Sequence, residues 1–180
     1  MKTMLVLTAA ALAVGCAPAD ELPESIPPVE GARQVAFALR QIDVVQGIGA
    51  AAEPRKCMYV HYTGWFTDGT KFDSSRDTTA SGQPRTPIAF PQGARRVIAG
   101  WDLGFEGMRV GSQRRLFIPY QLAYGERGRP PVIPERAELI FDVELMAIAD
   151  TLPASAAAQD PRPPQGPRCP EWAVVSGATG

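Results

Sequence analysis

Histidine is almost missing from this chain: His61 is the only one in 180 residues. Hydrolysis through an activated nucleophile needs a base and a group that orients it. His61 lies inside a strand-like stretch with no nucleophile-elbow sequence, so it reads as structural. The three cysteines, Cys16, Cys57 and Cys169, are far apart, and no His/Cys cluster has metal-ligand spacing. Neither a metal nor a cofactor is expected. The glycines around Trp101 do not follow a strand in a βαβ unit, which removes the support for a nucleotide fold. Charge of one sign is also lacking: 18 basic residues face 19 acidic ones, for a net charge of -1. No global field draws in nucleic acid.

Long apolar runs are scarce too. The run from Met4 to Gly15 falls short of the roughly 20 residues that a membrane-spanning helix needs. After Lys2 it has the layout of a secretory signal, and it ends in Gly15-Cys16. It resembles a bacterial lipoprotein signal, in which the cysteine is acylated and becomes the first mature residue. Ala13 stands where leucine is usual, and an ordinary signal cut near Ala17-Pro18-Ala19 is the alternative. The lipoprotein reading predicts a membrane anchor at Cys16 in a bacterial cell envelope. Ala17 favours delivery to the outer membrane, with the domain facing the periplasm. In that oxidising compartment Cys57 and Cys169 are either a disulfide pinning the tail to the domain or two unpaired thiols.

Proline is abundant, with 18 residues, most of them outside the central region. Residues 16–33 (CAPADELPESIPPVEGAR) lack apolar periodicity and read as a linker. Residues 150–180 form a Pro/Ala-rich tail, with Trp172, Val174 and Val175 able to dock if Cys169 is bridged. Residues 1–15 are the signal, and residues 34–149 the globular domain.

Within that domain strands dominate. Segments 35–40 and 41–46 are strand-like. Along 57–67, Tyr59, His61, Thr63 and Trp65 face one way, and Val60, Tyr62, Gly64 and Phe66 the other. Asp68-Gly69 is a two-residue hairpin signal, and 70–73 is the return strand. Residues 74–87 form a loop. In 93–108 the period becomes helical through Val97, Ile98, Trp101 and Phe105, while Gly100, Gly104 and Gly107 keep the helix short. Strands at 113–119 and 137–149 complete an α+β domain, the last with Leu139, Phe141, Val143 and Leu145 on one face. Many apolar residues are ordinary core, Phe66 and Phe90 among them. Tyr62, Trp101 and Tyr124 carry polar atoms that suit the rim of a half-open apolar pocket better.

The segments VHYTGWFTDGTKFDSSRD, IAF, RVIAGWDLGFEGMRVGSQRRLFIP, AYG, VIP and LIFDVELM occur in this order. They closely resemble the FKBP-type peptidyl-prolyl cis-trans isomerases over about residues 42–148. The resemblance implies an antiparallel half-barrel sheet wrapped around one short helix. It implies that proline-containing polypeptides, and macrolide inhibitors, bind between helix and sheet. It makes Trp101 the floor under the proline ring, and Tyr62, Phe72 and Phe141 aromatic walls. Asp73 is the pocket carboxylate and Tyr124 the rim hydroxyl. Val97 and Ile98 open the helix, and the Ile98 N–H meets a substrate carbonyl. Val132 and Ile133 lie over the pocket, and Ile88 and Phe90 complete the substrate-binding set. Three departures concern specificity. Ile88 stands where many members carry an aromatic residue, Arg129 occupies a loop position that varies between members, and loop 74–87 is long, leaving Arg76 and Arg85 as rival partners for Asp73. A binding module or chaperone of the same fold, with weak or no isomerase activity, is the alternative reading. A purely structural envelope lipoprotein ranks third.

Overall fold

Period-two alternation along 57–66 and 139–149 produces two long strands, and the fold is built on their pairing. The computed structural model describes residues 25–27, 33–36, 39–152 and 167–177. The expected signal segment and Cys16 lie outside the described residues. The strands are β1 (Arg33–Ala36), β2 (Leu39–Val45), β3 (Cys57–Phe66), β4 (Lys71–Ser74), β5 (Ile88–Pro91), β6 (Gln113–Ile118) and β7 (Leu139–Ala149). They form one sheet in the order β1-β2-β6-β7-β3-β4, and every pairing is antiparallel. β3 pairs with β7 from Cys57↔Ala149 to Phe66↔Leu139. Its other edge is shared, with β5 beside 57–60 and β4 beside 63–65.

One face of this α+β sheet, here the concave face, carries Met58, Val60, Tyr62, Leu116, Ile118, Leu139, Phe141, Val143 and Leu145 in a single buried cluster with Trp101 and Phe105. Fully burying each large side chain contributes about 1.5–3 kcal/mol. Helix α1 (Ala99–Gly104) packs against β6 and β2. Gly100 and Gly104 do more than shorten it. A Cβ at Gly100 would come within 2.4 Å of the Ile118 side chain, and one at Gly104 within 2.7 Å of Leu116. The two glycines at i and i+4 therefore let the helix backbone lie directly on β6. The Arg114 guanidinium closes the helix C-terminus, donating to the carbonyls of Gly104 (2.7 Å) and Glu106 (3.0 Å) while paired with Asp43.

The hairpin after β3 differs from the two-residue turn expected. Phe66 N–H donates to the Thr70 carbonyl (2.9 Å), so residues 67–69 form the loop, and Gly69 takes the positive φ of 85°. Such a loop, with glycine in the left-handed position, suits the strand twist as well as a two-residue turn does. The expected loop 74–87 is followed by a strand absent from the sequence reading, β5, in which Phe90 pairs with Met58.

The opposite, convex face is closed by the chain's flanking segments. Ile26, 3% exposed, packs with Trp65, Phe117 and Ile140, and the Ser25 hydroxyl donates to the Gly69 carbonyl (3.0 Å). At the other end of β3, Cys57 and Cys169 form a disulfide with Cα atoms 5.5 Å apart. The Tyr59 hydroxyl donates to the Pro170 carbonyl (2.6 Å), and the Trp172 ring, opening the short helix α2 (Trp172–Val175), lies 5.6 Å from that of Tyr59. Between these covers, Arg115, 1% exposed, holds Asp142 through two hydrogen bonds of 2.6 and 2.7 Å.

Candidate active site

Alternation along β3 and β7 delivers Tyr62 and Phe141 to the concave face, and β4 adds Phe72 and Asp73. The residues that open α1 supply Val97, Ile98 and Trp101, β5 supplies Ile88, and the loop after β6 supplies Tyr124. With Arg96, these residues line an open cavity of about 160 Å³. Trp101, 4% exposed, is its floor, with the rings of Tyr62 and Phe141 each 5.3 Å away and near perpendicular to it. Phe72 meets Phe141 edge-on at 5.5 Å. Edge-to-face contacts of this kind fix ring orientation as well as adding stability. Gly64 is why the walls can close: a Cβ there would come within 2.6 Å of Phe72 and 2.9 Å of Phe141.

The polar side of the cavity is held from behind. The Tyr62 hydroxyl donates to Asp73 Oδ2, while Asp73 Oδ1 accepts from Arg85 (2.9 Å) and from the Ser74 amide (2.9 Å). Arg85 is thus the partner of Asp73, and Arg76 pairs instead with Glu144 on the convex face. Burial pushes the Tyr62 phenol well up, and its bond to Asp73 adds to the shift. Burial also works to raise Asp73, but the Tyr62 hydroxyl, Arg85 and the Ser74 amide outweigh it and hold the carboxyl below its usual range. Asp73 is therefore an ionised acceptor that positions Tyr62. Among the polar groups of the cavity-lining residues, the Tyr124 hydroxyl and the Ile98 amide have no hydrogen-bond partner among the described residues. The buried Trp101 Nε1 is unpaired as well.

Three expected contact residues lie elsewhere. Phe90, 3% exposed, packs behind Trp101 at 5.6 Å and next to Phe105. Arg129 and Ile133 exchange backbone hydrogen bonds (2.8 and 3.0 Å) across a tight turn, which tucks Ile133 into the core at 4% exposure and leaves Val132 outside at 54%. None of the three lines the cavity. Residues that the sequence reading passed over do contribute. Ser74 and Ser75 are buried and bind the Tyr62 backbone, Ser75 accepting from its amide (2.8 Å) and Ser74 donating to its carbonyl (3.0 Å). The adjacent pair Ser-Ser directly after Asp73 was the available signal. Arg96 carried none.

A larger hollow of about 430 Å³ lies on the convex face, lined by His61, Trp65, Arg76, Asp142 and Glu144 among others. Its charged groups are all paired, Arg76 with Glu144, Asp142 with Arg115 and Arg114 with Asp43. His61 shares a hydrogen bond with the Ser75 hydroxyl (3.0 Å), and burial, helped by Arg76, lowers its pKa. It lacks the ring-lined floor of the concave cavity. Among the described residues no group of three or more His, Cys, Asp or Glu could hold a metal.

The fold is an antiparallel sheet curved over one short helix, with an aromatic cavity between them. The family model of FKBP-type peptidyl-prolyl cis-trans isomerase matches residues 49–146, and the chain belongs to that family. It is 47% identical over 106 residues to the FK506-binding protein of Neisseria meningitidis serogroup A, covering 59% of this chain and 92% of that one. It is 52% identical over 98 residues to the peptidyl-prolyl cis-trans isomerase FPR2 of Saccharomyces cerevisiae, covering 54% and 68%. Among solved structures, FkpA from Escherichia coli superposes with a TM-score of 0.58 at 33% identity. That match covers 67% of this chain and about half, 53%, of the FkpA chain.

Proposed function

We propose that the cavity floored by Trp101 binds the proline ring of X-Pro segments in exported polypeptides and accelerates rotation about the preceding bond. The observation that carries this is the joint placement of Tyr62, Phe72, Ile88, Val97, Trp101 and Phe141 as cavity walls beside two unpaired polar groups, Tyr124 Oη and Ile98 N–H. The rotation barrier of about 18–20 kcal/mol comes largely from amide resonance. A twisted X-Pro bond has lost that resonance and is less polar than either planar form. Apolar walls shaped around the twisted bond stabilise it more than the planar ground states, while hydrogen bonds from Tyr124 and Ile98 hold the flanking carbonyls. No covalent step is required. The Tyr62–Asp73–Arg85 chain keeps one wall rigid. Macrolide inhibitors occupy the same cavity in this reading.

Exchange NMR of a short X-Pro peptide with the full chain in detergent tests it directly. Acceleration that disappears when a macrolide inhibitor is added is the expected result. Peptide binding without acceleration would replace the enzyme by a binding module of the same fold. We further propose that acylation of Cys16 anchors the chain in a bacterial envelope, in the outer membrane with the domain facing the periplasm. The signal-like residues 4–15 ending in Gly15-Cys16 support this. Palmitate labelling in the producing cell should vanish in Cys16→Ser, and labelling that survives the substitution rules the anchor out.

A further inference from the structure

The charges around the cavity do not balance. Two charged side chains line it, Asp73 and Arg96. Asp73 is already neutralised by Arg85 at 2.9 Å and takes the Tyr62 hydroxyl on its other oxygen. Arg96 is exposed, directly precedes Val97 and Ile98, and has no ion pair or hydrogen bond among the described residues. The nearest acid on the following helix, Asp102, accepts the Gly93 amide at 2.9 Å, and Glu126, in the loop after Tyr124, is paired with Arg136 at 2.7 Å. One guanidinium is therefore left unopposed on the rim of an otherwise apolar or internally neutralised cavity.

We infer that Arg96 gives the pocket a preference for proline bonds that have an acidic side chain close by in the substrate. The inference rests on the isomerase reading and adds a substrate class to it. A planar guanidinium beside an apolar wall offers a carboxylate paired hydrogen bonds, with the modest strength of a solvent-exposed ion pair. The same charge disfavours a lysine in that place. Complementarity of this sort is read as a ratio of specificity constants.

The test uses the full chain in detergent and peptides identical except for Glu, Ala or Lys at each position within two residues of the proline. kcat/KM is measured for each by exchange NMR. For at least one position, Glu is expected over Lys by about tenfold, the sum of one attraction and one repulsion at a partly exposed site. The ratio should invert in Arg96→Glu, survive in Arg96→Lys, and shrink as salt shortens the screening length. If the Ala peptide is isomerised and no ratio moves more than about twofold in Arg96→Glu, the inference is wrong and the isomerase reading stands. Loss of the preference in Arg96→Lys would likewise overturn an account based on charge. If no peptide is accelerated at all, both fall together.

Discussion

The two faces of one sheet behave in opposite ways. On the convex face the chain covers itself: Ile26 closes one end, Cys169, Pro170 and Trp172 close the other, and ion pairs fill the space between. On the concave face the cover is α1, which is too short to cover the whole surface, and the uncovered remainder is the aromatic cavity. The hollow on the convex face is larger, yet its charged groups are paired, whereas Tyr124 Oη, Ile98 N–H and Arg96 on the concave side are without partners among the described residues. Volume alone would have selected the convex face. What separates them is where unsatisfied chemistry lies beside apolar surface.

Breaking the convex cover should cost stability and spare catalysis. Cys57→Ser with Cys169→Ser opens a link across 112 residues of sequence. A loss of about 2–5 kcal/mol in urea unfolding is expected, because the unfolded chain regains the freedom that the crosslink removes. kcat/KM under native conditions should stay within about twofold, and a collapse of activity in a still-folded variant would show that the faces are coupled.

Breaking the concave side should do the reverse. In Gly64→Ala the new methyl meets Phe72 and Phe141, and the overpacking costs about 1–3 kcal/mol. Isomerisation should fall by about tenfold or more as the walls shift, a far larger share of function than of stability. Unchanged kcat/KM would mean that wall position does not govern the rate.

The smallest effect is expected from pH, and it too divides by face. His61 on the convex side and Asp73 on the concave side both titrate below their ordinary values of 6.5 and 3.8. In each case the unfolded chain takes up a proton before the folded one does. Both contributions are therefore complete above the ordinary values and are lost as pH falls, that of His61 first and that of Asp73 at lower pH. The urea midpoint should begin to drop below about pH 6.5, and His61→Gln should flatten that first part only. An identical slope in the variant would remove His61 from the account.

The long strands β3 and β7 were legible because alternation holds along most of each, from Val60 to Phe66 and from Leu139 to Leu145, before the register shift at Tyr59/Val60. The cavity's rings were legible through the family resemblance and through the polar atoms of Tyr62 and Tyr124. β5 was not, because four residues between Pro87 and Gln92 show no period, and only pairing with β3 makes them a strand. Val132 and Ile133 are adjacent and similar, and it takes the Arg129–Ile133 turn to decide which goes inward. The glycines of α1 look like helix breakers until the sheet beneath them is in view. Ile26, in a proline-rich stretch, gave no sign that it would be one of the most buried side chains, since its partners Trp65, Phe117 and Ile140 come from three distant strands.

That buried isoleucine also sets a length. Residues 25–27 enter the domain over Trp65, behind the sheet, and an extended chain reaches only about 3.3–3.6 Å per residue. A leash from Cys16 to Ser25 is thus at most about 30 Å long and fastened at the back. Under the proposed anchoring, a lipid at its far end would hold Ser25, and with it the back of the sheet, within about 30 Å of the bilayer.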